Sequence, residues 1–118
     1  IMATVSPEFS PVFAQGQTIM RSVWDNIATG DTIVQLGVPG QDGVAGAVQF
    51  SGTFGGATVK LQVSNDNSTY FDMKDLAGTT ISATAAGYFE FTTAGVYLRP
   101  AISGGAGDAV DVTLTLRG

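Results

Sequence analysis

Residues 110–117 read Val-Asp-Val-Thr-Leu-Thr-Leu-Arg, and the alternation is unbroken. Val110, Val112, Leu114 and Leu116 fall on one side, and Asp111, Thr113, Thr115 and Arg117 on the other. Successive side chains of a strand point to opposite faces, so this period of two describes a strand with one buried and one wet face. A helix would need apolar residues three and four apart, and no stretch of the chain sustains that spacing.

Working back from this segment, the same period recurs. Residues 47–54 put Val48, Phe50 and Phe54 on one face against Gln49, Ser51 and Thr53, and residues 57–64 put Val59, Leu61 and Val63 against Thr58, Lys60 and Gln62. Gly55-Gly56 between them reads as a tight connection, and Asn65-Asp66-Asn67 as a turn, because Asn and Asp tolerate left-handed geometry and close Asx turns. Further short strands are expected at 69–74, 79–83, 88–92 and 96–99. Upstream, residues 18–25 place Met20 and Trp24 opposite Ile19, Arg21 and Val23, and residues 32–36 form a second strand. Residues 37–46 are a turn-rich loop carrying Pro39-Gly40 and Asp42-Gly43. Short strands spaced about 8–12 residues apart with Gly-rich joints point to an antiparallel β-sandwich or jelly roll of about eight strands, not to βαβ units. The all-β domain is expected to span residues 18–118.

Residues 1–17 (IMATVSPEFSPVFAQGQ) differ in kind. Pro7 and Pro11 exclude a regular helix or a central strand, since each lacks an N–H and holds its predecessor extended. Val5, Phe9, Val12 and Phe13 are nevertheless spaced through the segment, and a disordered tail carries few such side chains. The segment is expected to be an extended arm that anchors through these four residues, either over its own core or on a neighbouring subunit.

At 118 residues, one hydrophobic core suffices. Hydrophobic residues make up 44% of the chain and charged residues only 13%, about half the usual share, so its surface is mostly small and neutral and cheap to desolvate. The net charge of −5, with Arg21, Lys60, Lys74, Arg99 and Arg117 scattered, argues against a nucleic-acid partner. There is no apolar run long enough to span a membrane as a helix. The N-terminus lacks the basic start and apolar stretch of a signal peptide, so use without secretion is expected.

The chain has neither cysteine nor histidine, which removes disulfides, the usual zinc sites and His-based acid–base chemistry. Lys60 and Lys74 occupy polar, outward positions unsuited to activating a hydroxyl nucleophile. Of the two glutamates, Glu8 lies in the arm and Glu90 points outward beside Tyr88, and neither has the facing carboxylate that glycoside hydrolysis needs. Asp75 is read as a turn cap. Residues 65–68 lack the spacing of a calcium loop, Gly104-Gly105-Ala106-Gly107 precedes a strand where a phosphate loop precedes a helix, and the sequon Asn67-Ser68-Thr69 carries no weight without secretion. No catalytic, cofactor or metal residues are expected. Trp24, Tyr70, Tyr88 and Tyr97 are read as interface or core aromatics, with a glycan-stacking platform as the alternative.

Four segments carry a resemblance: Thr58 to Tyr70 (TVKLQVSNDNSTY), Thr84 to Gly87 (TAAG), Val96 to Pro100 (VYLRP) and the closing Val110 to Arg117. Together they resemble a small β-sandwich family found among structural proteins of tailed bacteriophages, including capsid decoration (cement) proteins. The resemblance implies a non-enzymatic virion protein, without cofactors, that binds the major capsid protein or another virion protein and assembles as a homotrimer. Head-fibre and tail components are implied equally, and residues 1–45 lie outside the match.

Overall fold

The computed structural model describes residues 4–9, 12–14, 17–38 and 44–117, and every helix or strand among them is a strand. Three short strands open the chain: β1 (Thr4–Val5), β2 (Glu8–Phe9) and β3 (Val12–Ala14). The long β4 (Gln17–Ile27) is followed by β5 (Thr32–Ile33) and β6 (Leu36–Gly37). Then come β7 (Val44–Thr53), β8 (Thr58–Ser64), β9 (Phe71–Asp72), β10 (Ser82–Ala83), β11 (Gly87–Thr93), β12 (Tyr97–Ser103) and β13 (Ala109–Arg117).

Early strands pair with late ones in a nested series. β4 pairs β13, β6 pairs β12, β7 pairs β11 and β8 pairs β10, all antiparallel. The ribbon so formed is wrapped until β13 also meets β7 and β12 also meets β8. Two sheets result, with cores ordered β11-β7-β13-β4 and β10-β8-β12-β6. This nesting is the jelly-roll order, in which two Greek keys close face to face. β2 and β3 continue the first sheet along the outer edge of β4, and β9 pairs β8 beside β10. β1 crosses to pair β5 in parallel, and the Val34 N–H donates to the Val5 carbonyl at 2.8 Å.

The core lies between the two inner faces. The first sheet supplies Trp24, Ile27, Val48, Phe50, Phe91, Val110, Val112, Leu114 and Leu116, and the second Val59, Leu61, Ile81 and Leu98, all essentially inaccessible to solvent. Trp24 anchors the packing chemically as well, its Nε1–H donating to the Val34 carbonyl at 2.8 Å. Ser22 is buried with an Oγ that has no hydrogen-bond partner among the described residues.

A β-bulge explains a residue that strict alternation misplaces. Counting by twos from Trp24 would send Ile27 outward, yet both are fully buried. The pairing steps from Val112↔Trp24 to Val110↔Ile27, so Asp25 and Asn26 together oppose Asp111. Asn26 adopts φ 54°, and its N–H donates to Asp111 Oδ1 at 2.9 Å. The inserted residue resets the phase and returns Ile27 to the core.

Two other local readings gain detail. Gly55-Gly56 is the tight connection expected, and it carries the chain from β7 in the first sheet to β8 in the second. Both glycines have positive φ, 56° and 84°, and the Ala57 N–H closes the turn on the Phe54 carbonyl at 2.8 Å. The sharpness that suggests a hairpin also suits a corner between stacked sheets. Similarly, β12 runs on through Pro100, which faces Leu61 of β8. Its missing N–H costs no ladder bond, because β6 pairs only Tyr97 and Leu98.

Candidate interaction surfaces

The outer face of the first sheet carries small side chains at its centre. The register aligns Tyr88, Gln49, Thr113, Val23 and Glu8 in one row across the strands. The next row holds Glu90, Ala47, Thr115 and Arg21, and a third holds Thr92, Ala45 and Arg117. Glu8, Glu90 and Arg21 stand at row ends and Arg117 on the central β13, while Ala45, Ala47, Thr113 and Thr115 between them offer methyl and hydroxyl groups at little desolvation cost. At the β11 edge the Tyr88 hydroxyl donates to Glu90 Oε2 at 3.1 Å, which raises the tyrosine pKa by favouring its protonated form. Leu76, 64% exposed, borders this edge, with its N–H on the Glu90 carbonyl at 3.0 Å.

The outer face of the second sheet is more polar. Lys60 Nζ lies 3.2 Å from Asp72 Oδ2, and Gln62 Nε2 donates to Asp72 Oδ1 at 3.1 Å. The Gln62 and Lys60 hydrogen bonds hold the Asp72 carboxyl below the ordinary value. Beside them the Arg99 guanidinium stacks on the Tyr70 ring, 3.8 Å from its centroid. Burial raises the Tyr70 pKa, and Tyr97 adds to the rise.

The four aromatic residues singled out in the sequence therefore do not form one platform. Trp24 is in the core and presents no face to a ligand. Tyr70 and Tyr97 share the second sheet's outer face, while Tyr88 stands on the first. Of the arm residues, Val5 is half-buried and packs against the core cluster. The backbone of Phe9 faces Ser22, that of Val12 faces Ile19 and that of Phe13 faces Thr18. The arm thus runs along the edge of its own β4; the side chains of Phe9, Val12 and Phe13 lie outside the described residues.

The two ends of the sandwich are built differently. At one end the loops over residues 28–31, 54–57 and 104–108 are tied together. Asp108 Oδ2 accepts from the Thr29 N–H at 3.0 Å and from its hydroxyl at 2.8 Å, and Thr29 Oγ1 accepts from the Gly105 N–H at 3.0 Å. The Ala106 N–H donates to the Gly55 carbonyl at 3.1 Å. These bonds depress the Asp108 pKa, the Thr29 hydroxyl contributing most.

The other end opens into a groove of about 410 Å3 between the 65–69 turn and the 93–95 loop, with Phe71 as one wall. Phe71 is 67% exposed. Asp66 Oδ1 organises the turn, accepting from the Ser68 and Thr69 N–H groups, both at 2.9 Å, and from the Ser64 hydroxyl at 2.9 Å. The two backbone bonds, led by Thr69, keep the Asp66 pKa low. Gly95 packs against Val63 at the floor, where a side chain would collide with the valine methyl. Sequence reading gave Phe71 no role because it lies in a run taken for an ordinary strand, 69–74; β9 is only two residues long and leaves the ring beyond the core's reach.

Lys60 is engaged by Asp72, and Asp75 Oδ1 caps its turn by accepting from the Ala77 and Thr79 N–H groups, both at 2.9 Å. Among the described residues no group of three or more His, Cys, Asp or Glu could hold a metal, and no helix is long and apolar enough to cross a membrane. No protein-family model matches the chain, and no curated protein matches it in sequence.

Proposed function

We propose that this chain is a non-enzymatic structural protein of a tailed-bacteriophage particle, a capsid decoration (cement) protein that docks on the major capsid protein as a homotrimer. The observation that carries the reading is the outer face of the first sheet, where Ala45, Ala47, Thr113 and Thr115 form a neutral, small-residue centre between Glu90, Arg21 and Arg117. Such a face loses little hydration when covered, and shape complementarity then supplies the affinity. The jelly roll recurs in viral capsid domains as well as in lectins, so the fold is compatible with the role without establishing it. The resemblance of residues 48–117 to phage structural proteins supplies the particle context. Phe9, Val12 and Phe13 add a second attachment, the arm lending these apolar side chains to a neighbour while Val5 packs on the protein's own core.

A mass-spectrometric inventory of purified particles tests the proposal: the chain is expected in stoichiometric amount, and its absence overturns the reading. Light scattering is expected to give a trimer. Deleting residues 2–15 is expected to leave a folded sandwich that binds particles more weakly; binding at full strength would place the anchor elsewhere.

A further inference from the structure

Two features of the open-end groove need a common explanation. A phenylalanine at 67% exposure forfeits the burial that would normally stabilise it, and here it stands between Val63, its cross-strand partner, and a polar turn. The turn itself is rigid. The Ser64 hydroxyl accepts from the Asp66 and Asn67 N–H groups at 3.2 and 3.1 Å, and Asp66 Oδ1 accepts the three bonds described above. That bonding falls on Oδ1 of Asp66, a residue exposed on the turn that also lines the groove. Asn65, exposed on the same turn, supplies amide donors and an acceptor, and Thr69 a hydroxyl.

From this geometry we infer that the groove binds a neutral saccharide, with a pyranose C–H face stacked on Phe71 and its hydroxyls meeting Asp66 and Asn65. The lining contains one carboxylate and no cationic side chain, so it disfavours anionic ligands, sialic or uronic acids included. A sugar presents what the lining lacks a partner for: an apolar ring face for the phenyl group, and hydroxyls that both donate and accept. The volume of about 410 Å3 falls within the range of roughly 300–1,000 Å3 that small-ligand clefts occupy. The Tyr70–Arg99 pair on the second sheet is a poorer candidate, because the guanidinium already occupies a face of that ring. This inference is independent of the particle reading and stands or falls without it.

The test is a titration of the isotope-labelled full chain with lactose, maltose and cellobiose, followed by amide chemical shifts. Saturable shifts confined to residues 64–71 and 93–96, at millimolar sugar with at least one of the three, are the expected result. Phe71→Ala should weaken that binding at least tenfold while the amide spectrum elsewhere stays unchanged, and Asn65→Ala should weaken it several-fold. The inference is overturned if none of the three sugars gives saturable shifts, if the shifts map elsewhere, or if Phe71→Ala binds as well as the parent. It is also overturned if tetramethylammonium or acetyl-lysine amide saturates the groove and the sugars do not, since Phe71 and Asp66 would then be serving a cationic partner.

Discussion

The two ends of this sandwich use the same materials to opposite effect. At the closed end, Asp108, Thr29, Gly105 and Asp111 spend their hydrogen bonds on one another and on backbone groups of neighbouring loops. At the open end, Asp66 and Ser64 satisfy a single turn, and the adjacent apolar wall is left to solvent. Where polar groups tie loop to loop, the result is a lid on the core. Where they tie only within one loop, the result is a rigid rim around an unfilled space.

Substitution should separate the ends sharply. Gly52, at the closed end, has φ 109°, and an added Cβ would collide with the Ala109 carbonyl. Gly52→Val is therefore expected to cost about 3 kcal/mol or more, from backbone strain and collision together, read as a lowered midpoint in chemical denaturation. A stability near that of the parent would show that the closed end yields. In the middle of β4, Ser22→Ala removes a buried hydroxyl without a partner and should stabilise by up to about 1 kcal/mol in the same assay. Thr29→Val keeps the side-chain shape but loses the donor to Asp108 and the acceptor for Gly105, for a loss of about 1 kcal/mol at this exposed site.

Acid should erode the distinction. Asp66 and Asp108 both have pKa values held below 3.8, so the unfolded chain takes up protons first as pH falls. Their contribution to stability is complete above that ordinary carboxylate value and disappears as pH falls through the lower, folded-state values. Amide protection factors, taken against the intrinsic exchange rate at each pH, should accordingly fall at residues 66–69 and 105–108 in acid, while the amides of β13 remain protected. Uniform loss across both groups and β13 would mean that the ends are not separable units. The smallest effect belongs to Phe71→Ala, which should change stability by no more than about 0.5 kcal/mol, because its ring packs little against the core.

Legibility in the sequence follows the same divide. β13 could be read directly because it buries one face along its whole length, and β7 and β8 because each does so along most of it, burial being what imposes the period of two. Ile27 could not, because the bulge that returns it to the core depends on a partner strand far along the chain. The nested pairing was equally hidden: alternation says that a strand has a partner face, not which strand lies beside it. Pro100 ended a strand in the reading but not in the molecule, since the cost of a missing N–H depends on whether a neighbour is waiting for it. The aromatic residues stayed open between core and surface for a related reason. Tryptophan and tyrosine serve cores and surfaces alike, and only the packing put Trp24 inside, Tyr70 under Arg99 and an unremarked phenylalanine at the groove.

The nested ribbon also fixes when the molecule can be completed. β13 is a central strand that joins β4 to β7, and its register sets Leu116 against Met20 and Val48 against Leu114. On a ribosome, β4 and β7 emerge long before β13 and must wait, their inner faces uncovered and their ladders open. Contacts this distant in sequence close slowly, on the scale of milliseconds to seconds for all-β domains. Synthesis therefore passes through a stage in which the sandwich has most of its core side chains but lacks Val110, Val112, Leu114 and Leu116 and the strand that unites its first sheet, and the domain is most exposed to wrong partners just before β13 arrives.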